Sequence, residues 1–213
     1  MAKPLIIAHR GITSLAIENT LKAFRLAVEN STPRPAGVEL DVHSTSDGKI
    51  VVHHDPTLPS GRSIAAMSLD RVREVRLADG QQVPTLEESL GVLGELRVYV
   101  EAKGVAAGAD DELIRVLRGG PHPGRYQVHS FDHRVVARLA KRAPWFGYGV
   151  LSASYPISPV SPVIAAGAKT LWQEWRLIDR GLVERCAERD VEVIAWTCRT
   201  DQEVRAMAAL GVA

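Results

Sequence analysis

The chain has 213 residues, enough for one domain with a substantial core. Hydrophobic residues make up 46% and charged ones 24%, with 26 basic against 25 acidic side chains and a formal net charge of +1. That balance excludes the strongly basic footprint of a nucleic-acid binder and a polybasic membrane anchor. No apolar run approaches the ~20 residues of a membrane-spanning helix. Cys186 and Cys198 are too few for a disulfide framework and lack metal-motif spacing, so they read as thiols in a reducing compartment. The apolar run in "MAKPLIIAHRG" is too short for a secretory leader, which makes the cytoplasm the expected location.

In chain order, residues 5–8 form a short, continuously apolar strand of the kind found in parallel sheets covered on both faces. Helical spacing of Leu21, Phe24, Leu26, Ala27 and Val28 predicts a helix over 18–29. "GVELDV" is the second strand, and "TSDGKIVVHHD" adds a hairpin-like turn at Asp47-Gly48 leading into a strand over 50–53. Residues 56–82 read as a small insertion with a short helix near 69–75. Thr85 and Glu88 then form a capping box at the start of the next helix. "LRVYVEAK" is the next core strand. Helices near 110–117, 133–142, 179–189 and 201–210 alternate with strands near 126–130, 146–151, 169–172 and "VEVIAWT".

Repeated βα units argue for a parallel sheet, and seven or eight of them in this length favour an α/β barrel of the TIM (β/α)8 type over a doubly wound sheet. The expected organisation is a single barrel domain over 1–213. The final "ALGVA" stands where an eighth strand is due, so the barrel is expected to lack or truncate that strand.

In such barrels, side chains that do chemistry sit at the C-terminal ends of strands. Here those ends carry His9-Arg10, Glu39 and Asp41, His54-Asp55, and Glu101 and Lys103. Glu39 and Asp41 are two apart and share one face of their strand, as do Glu101 and Lys103. Three carboxylates converging at one mouth resist joint ionisation. Two resolutions stay open: a structural ion network with Arg10 and Lys103, or a hard divalent cation on Glu39, Asp41 and Glu101, whose oxygens suit Mg²⁺ or Ca²⁺ rather than zinc.

The ordered set "AHRG", "ENTLKAF", "VELDVHSTSDGKIVVHHD", "VPTLEE", "YVEAK", "HSF" and "AWT" resembles the glycerophosphodiester phosphodiesterase family over nearly the whole chain. The resemblance implies a TIM barrel that hydrolyses glycerophosphodiesters to an alcohol and glycerol 3-phosphate with a divalent metal, Mg²⁺ or Ca²⁺. It implies a general acid/base pair at His9 and His54 and metal ligands at Glu39, Asp41 and Glu101. Phosphate contacts fall on Arg10 and Lys103, Glu18 and Asn19 shape the same mouth, and Ser130, Phe131 and Trp196 line the substrate pocket. The family's attacking oxygen is the glycerol 2-hydroxyl, which gives a cyclic phosphate that water then opens. Ile17 stands where members often have proline before "ENT".

Two imidazoles suit proton transfer near neutral pH. His54 is preferred over His53 because His53 points to the opposite face and Asp55 follows His54 directly. His43 shares the parity of Glu39 and Asp41 and lies near the mouth, whereas His122, His129 and His133 read as surface or strand-edge residues. Trp145, Trp172 and Trp175 read as core or interface residues. Alternative functions are a lysophospholipase D-like headgroup hydrolase and a non-catalytic phosphate-ligand barrel. The expected partner is a small glycerophosphodiester, without nucleic acid or stable membrane anchoring, and an open barrel edge is a reason to expect a homodimer.

Overall fold

The structure, a computed structural model, describes residues 4–29 and 34–212. The expectation about a secretory leader falls partly on residues 1–3, and that about a final strand partly on Ala213, both outside the described residues. The chain forms two compact units, one of Ile6–Gln127 and one built mainly from the residues after 127.

In the first unit, β1 (Ile7–His9) runs parallel to β2 (Gly37–Ser44), and β2 runs parallel to β4 (Arg97–Gly104). β3 (Ile50–Val52) folds back antiparallel on β2 through the turn at Gly48, whose φ of 76° suits glycine. All residues of β2 and β3 are buried, as strands covered on both faces should be. α1 (Leu21–Glu29), α3 (Leu86–Leu93) and α4 (Asp110–Gly119) follow β1, β3 and β4, and the short α2 (Leu69–Glu74) lies in the insertion. The insertion has its own apolar cluster: Leu58, Ile64, Met67, Val72, Leu77 and Val83 surround Val51 of β3, and Ile17 packs on it.

The second unit repeats the pattern. β6 (Gly147–Ser152), β7 (Thr170–Glu174) and β8 (Glu192–Trp196) pair in parallel, with α6 (Ser161–Ala165), α7 (Arg180–Ala187) and α8 (Asp201–Leu210) following them. β5 (Tyr126–Ser130) straddles the division and leads into α5 (His133–Arg142). The side chains of Asp132 and Asp179 accept hydrogen bonds from the first-turn amides of α5 and α7. Capping boxes at Thr85 and Thr200 open α3 and α8. Among the described residues no strand follows α8, and no helix is long and apolar enough to cross a membrane.

Three sequence expectations need correction. The first strand begins at Ile7, and Leu5 and Ile6 are 56% and 40% exposed, because β1 takes only β2 as a neighbour among the described residues. α1 starts at Leu21 because Asn19 holds a left-handed φ of 56° that a helix cannot continue through. Trp145 is 54% exposed, which removes the core half of its core-or-interface reading.

Candidate active site

The first unit gathers nine of the expected site residues on the C-terminal ends of its strands. Register sets Asp41 of β2 opposite Glu101 of β4. The pairing then slips: Val42 faces Ala102 and His43 faces Gly104, leaving Lys103 as the extra residue of a bulge. From that bulge Lys103 Nζ donates to Glu101 Oε1 at 2.8 Å and stands 3.4 Å from Asp41 Oδ1.

Arg10 occupies the left-handed region at φ 58°, a conformation that costs of order 1–3 kcal/mol for a non-glycine residue. The surrounding hydrogen bonds hold it there. Its N–H donates to the Glu39 carbonyl at 2.9 Å and lies 3.3 Å from Glu39 Oε2, while its carbonyl accepts from Asn19 N at 3.0 Å. The turn carries the guanidinium back over β2, where Nε lies 3.1 Å from Asp41 Oδ2 and Nη1 reaches both Glu18 oxygens at 2.9 and 3.1 Å. Gly11 follows at φ 88°, and a Cβ there would stand 2.8 Å from the Ala23 Cβ, so the corner requires glycine. Asn19 completes the frame, donating Nδ2 to Asp41 Oδ2 at 2.7 Å and accepting from Asp41 N at 3.3 Å.

His9 Nε2 is 3.7 Å from Glu39 Oε2. Desolvation by the surrounding protein, then the charge of Arg10, pushes its pKa down to about 4, so His9 is a neutral imidazole at neutral pH. His54 Nδ1 meets Asp55 Oδ1 at 2.8 Å, a contact that orients the ring and leaves Nε2 for other work.

The cluster is rich in carboxylates: Glu18 and Asp41 pair with Arg10, Asp41 and Glu101 with Lys103, and Glu39 stands beside His9. Burial raises the Glu39 pKa well above the usual carboxylate range, and Asp41 and Glu101 push it further. Glu101 is pushed up to about 7, again chiefly by burial, with Lys103 opposing. Asp41 goes the other way: burial raises it, but Lys103, Arg10 and the Asn19 hydrogen bond outweigh that and hold it ionised. Its Oδ1 is buried and receives no hydrogen bond. The ion network expected from sequence therefore forms around Asp41, while burial and like charge resist the ionisation of Glu39 and Glu101 beside it. A hard divalent cation fits that donor set.

The remaining three expected residues lie in the second unit. Ser130 is buried at the end of β5, and its Oγ accepts from Asp132 N at 3.1 Å. Phe131, 47% exposed, meets Trp196 edge to face at 5.4 Å between ring centres. His129 corrects the surface reading: it is buried on β5 and stacks on Trp172 with ring centres 4.3 Å apart and 13° between planes. His133 Nε2 lies 2.9 Å from the Leu151 carbonyl and His122 Nε2 lies 2.6 Å from Glu95 Oε1, so both serve local structure.

Comparison with known proteins bears on the fold and the family. A crystal structure of an Oleispira antarctica phosphodiesterase in complex with the product sn-glycerol-3-phosphate is similar with a TM-score of 0.87 at 21% identity, covering 98% of this chain and 90% of that one. The glycerophosphodiester phosphodiesterase of Thermotoga maritima is similar with a TM-score of 0.80 at 22% identity, covering 99% and 92%. At that identity the likeness shows the fold, which is the α/β fold of TIM-type barrels. In sequence, a glycerophosphodiester phosphodiesterase of Caldanaerobacter subterraneus subsp. tengcongensis is 29% identical across 99% of this chain and 92% of its own length. The model of the Glycerophosphoryl diester phosphodiesterase family matches residues 9–213, and the chain belongs to that family. It is accordingly an enzyme, a phosphoric diester hydrolase.

Proposed function

We propose that the chain hydrolyses small glycerophosphodiesters to an alcohol and glycerol 3-phosphate, with His9 and His54 as the proton-transfer pair. The observation that carries this reading is the buried carboxylate cluster of Glu39, Asp41 and Glu101, whose like charges resist joint ionisation, beside a neutral His9 and the fixed guanidinium of Arg10. Glycerol 3-phosphate as product is supported by the complex of the Oleispira relative.

Glu39, Asp41 and Glu101 would hold Mg²⁺ or Ca²⁺, which when bound supplies positive charge against a phosphate that grows more negative at the transition state. Arg10 and Lys103 bind the phosphate from the protein side, the guanidinium being suited to two oxygens at once. Glu18 and Asn19 hold Arg10 and Asp41 in place. The glycerol 2-hydroxyl attacks phosphorus as one imidazole takes its proton, and the other imidazole protonates the departing alkoxide. Water then opens the cyclic phosphate with the two roles exchanged. Phe131 and Trp196, paired edge to face, would offer an aromatic wall to the carbon skeleton, with Ser130 as a polar contact.

The test is turnover of glycerophosphocholine, glycerophosphoethanolamine and a lysolipid, with and without divalent cation. Turnover of the first two is expected, dependent on cation and reduced about 100- to 10,000-fold by His9→Ala or His54→Ala. Full activity in a folded His9→Ala or Glu39→Ala protein would sink the assignment. Preference for the lysolipid would move it to the headgroup-hydrolase alternative, and binding without turnover would move it to the phosphate-ligand barrel.

A further inference from the structure

β3 ends at Val52, and the chain then leaves the sheet carrying His53 and His54. A segment that departs a ladder loses the backbone partners that fix it, yet an acid/base group must be held within a fraction of an ångström. Two contacts from β2 replace the ladder here. His53 N donates to the Asp41 carbonyl at 3.0 Å, continuing the hairpin by one bond. One residue further, His43 Nε2 lies 3.1 Å from the His54 carbonyl. A carbonyl only accepts, so Nε2 carries the hydrogen, and the side chain of His43 holds the backbone one residue beyond the last strand bond.

The other side of the ring is fitted as closely. His43 is 5% exposed, and a Cβ on Gly104 would lie 2.4 Å from its Nδ1. The β2–β4 bulge places Gly104 opposite His43 while also delivering Lys103 toward Asp41. Only a residue without a side chain leaves room for the imidazole between β4 and the His54 backbone.

We infer that His43 is a positioning residue for this reaction: it pins the backbone of His54 through its Nε2–H, and Gly104 is glycine to admit the ring. This rests on His54 acting as proposed above, and it does not require His43 to touch substrate.

The experiment compares His43→Leu, which fills the space without a donor, with His43→Gln, whose amide NH₂ reaches the same depth. Glycerophosphocholine turnover is measured beside the melting temperature and the amide exchange of residues 53–55. We expect His43→Leu to lower kcat about 10- to 100-fold with KM within about threefold and to speed exchange over 53–55. His43→Gln is expected to recover most of that loss. Gly104→Ala, which overlaps the ring from the opposite side, should reproduce the kcat loss, so the inference stays testable if His43→Leu fails to fold. A folded His43→Leu protein with kcat within twofold of the unaltered enzyme overturns the inference. So does a loss that His43→Gln shares in full, or unchanged exchange over 53–55. Absence of turnover in the unaltered enzyme instead strikes the proposed function, which keeps the two failures apart.

Discussion

The ends of β1, β2 and β4 differ in kind from the ends of β5 and β8. The first set is charged: Arg10, Glu39, Asp41, Glu101 and Lys103 meet with His9. The second presents Phe131 and Trp196 in an edge-to-face pair that needs no compensating charge. Aromatic faces at a strand end are stable as they stand, because their burial is favourable and their polar demand small. Carboxylates at a strand end are not, and Glu39 and Glu101 respond by holding protons far above their ordinary range. On the function proposed above, the charged region would take a cation and a phosphate, and the aromatic region the carbon skeleton.

That contrast breaks or holds on kinetics first. Glu39→Gln keeps shape and removes one charge, and kcat is expected to fall about 1,000-fold, on the scale of losing one electrostatic contact to a transition state. Phe131→Ala should instead raise KM about tenfold, with kcat within about threefold, since it removes binding that substrate and transition state share. Equal losses of kcat in the two variants would erase the distinction between the regions.

A smaller effect separates them in stability. Ile64 is fully buried in the insertion cluster that also packs Ile17, next to the Glu18 that holds Arg10. Ile64→Ala should cost about 2–5 kcal/mol in denaturant unfolding. Phe131→Ala, at a half-exposed residue, should cost well under that. A loss below about 1 kcal/mol at Ile64 would show the insertion to be a loose appendage.

Charge also sets a pH signature. Between pH 4 and 6.5 folded His9 is neutral where the unfolded side chain is protonated, so its contribution makes stability rise with pH. Glu101, at about 7 in the folded protein, binds a proton that its unfolded form releases near 4.5, so its contribution falls as pH rises. The two oppose each other below pH 6.5, and above it the falling contribution of Glu101, joined by Glu39, stands alone. In chelator the melting temperature should drop by about 2–4 °C from pH 6.5 to 8. Added Mg²⁺ or Ca²⁺ should remove the drop, because a cation takes the deprotonated carboxylates. A flat profile in chelator would mean that the carboxylates are compensated without it.

The charged region was the more legible of the two in the sequence, for a physical reason. Glu39/Asp41 and Glu101/Lys103 are spaced two apart on strands, so alternation alone puts each pair on one face, and the structure sets Asp41 opposite Glu101. The alternation of strands and helices was equally readable, and α5 and α8 occupy the predicted residues. What stayed hidden depends on contacts distant in the chain. The left-handed Arg10 is held by Glu39 and Asn19, and the bulge at Lys103 appears only when β2 and β4 pair. His129 looked like a strand-edge residue because nothing local announces that Trp172 will cover it.

The least effect expected distinguishes the units at their helix caps. Thr85 and Thr200 build the same box: each hydroxyl accepts from the amide three residues on, at 3.2 Å in both, and Glu88 or Glu203 returns the contact to the threonine N–H at 2.9 and 3.0 Å. Losing such a hydroxyl costs about 1 kcal/mol. Glu88 is also gripped by Arg73 near the end of α2, so its carboxylate ties the α3 cap to the insertion, whereas Glu203 turns back to the amide of its neighbour Arg199. Glu88→Gln should therefore cost more than Glu203→Gln, but only by the few tenths to about 1 kcal/mol that a half-exposed ion pair supplies. That margin should shrink in high salt, while the costs of Thr85→Ala and Thr200→Ala stay alike and unscreened. Equal costs for the two glutamate variants at low salt would mean that Arg73 adds nothing to the cap.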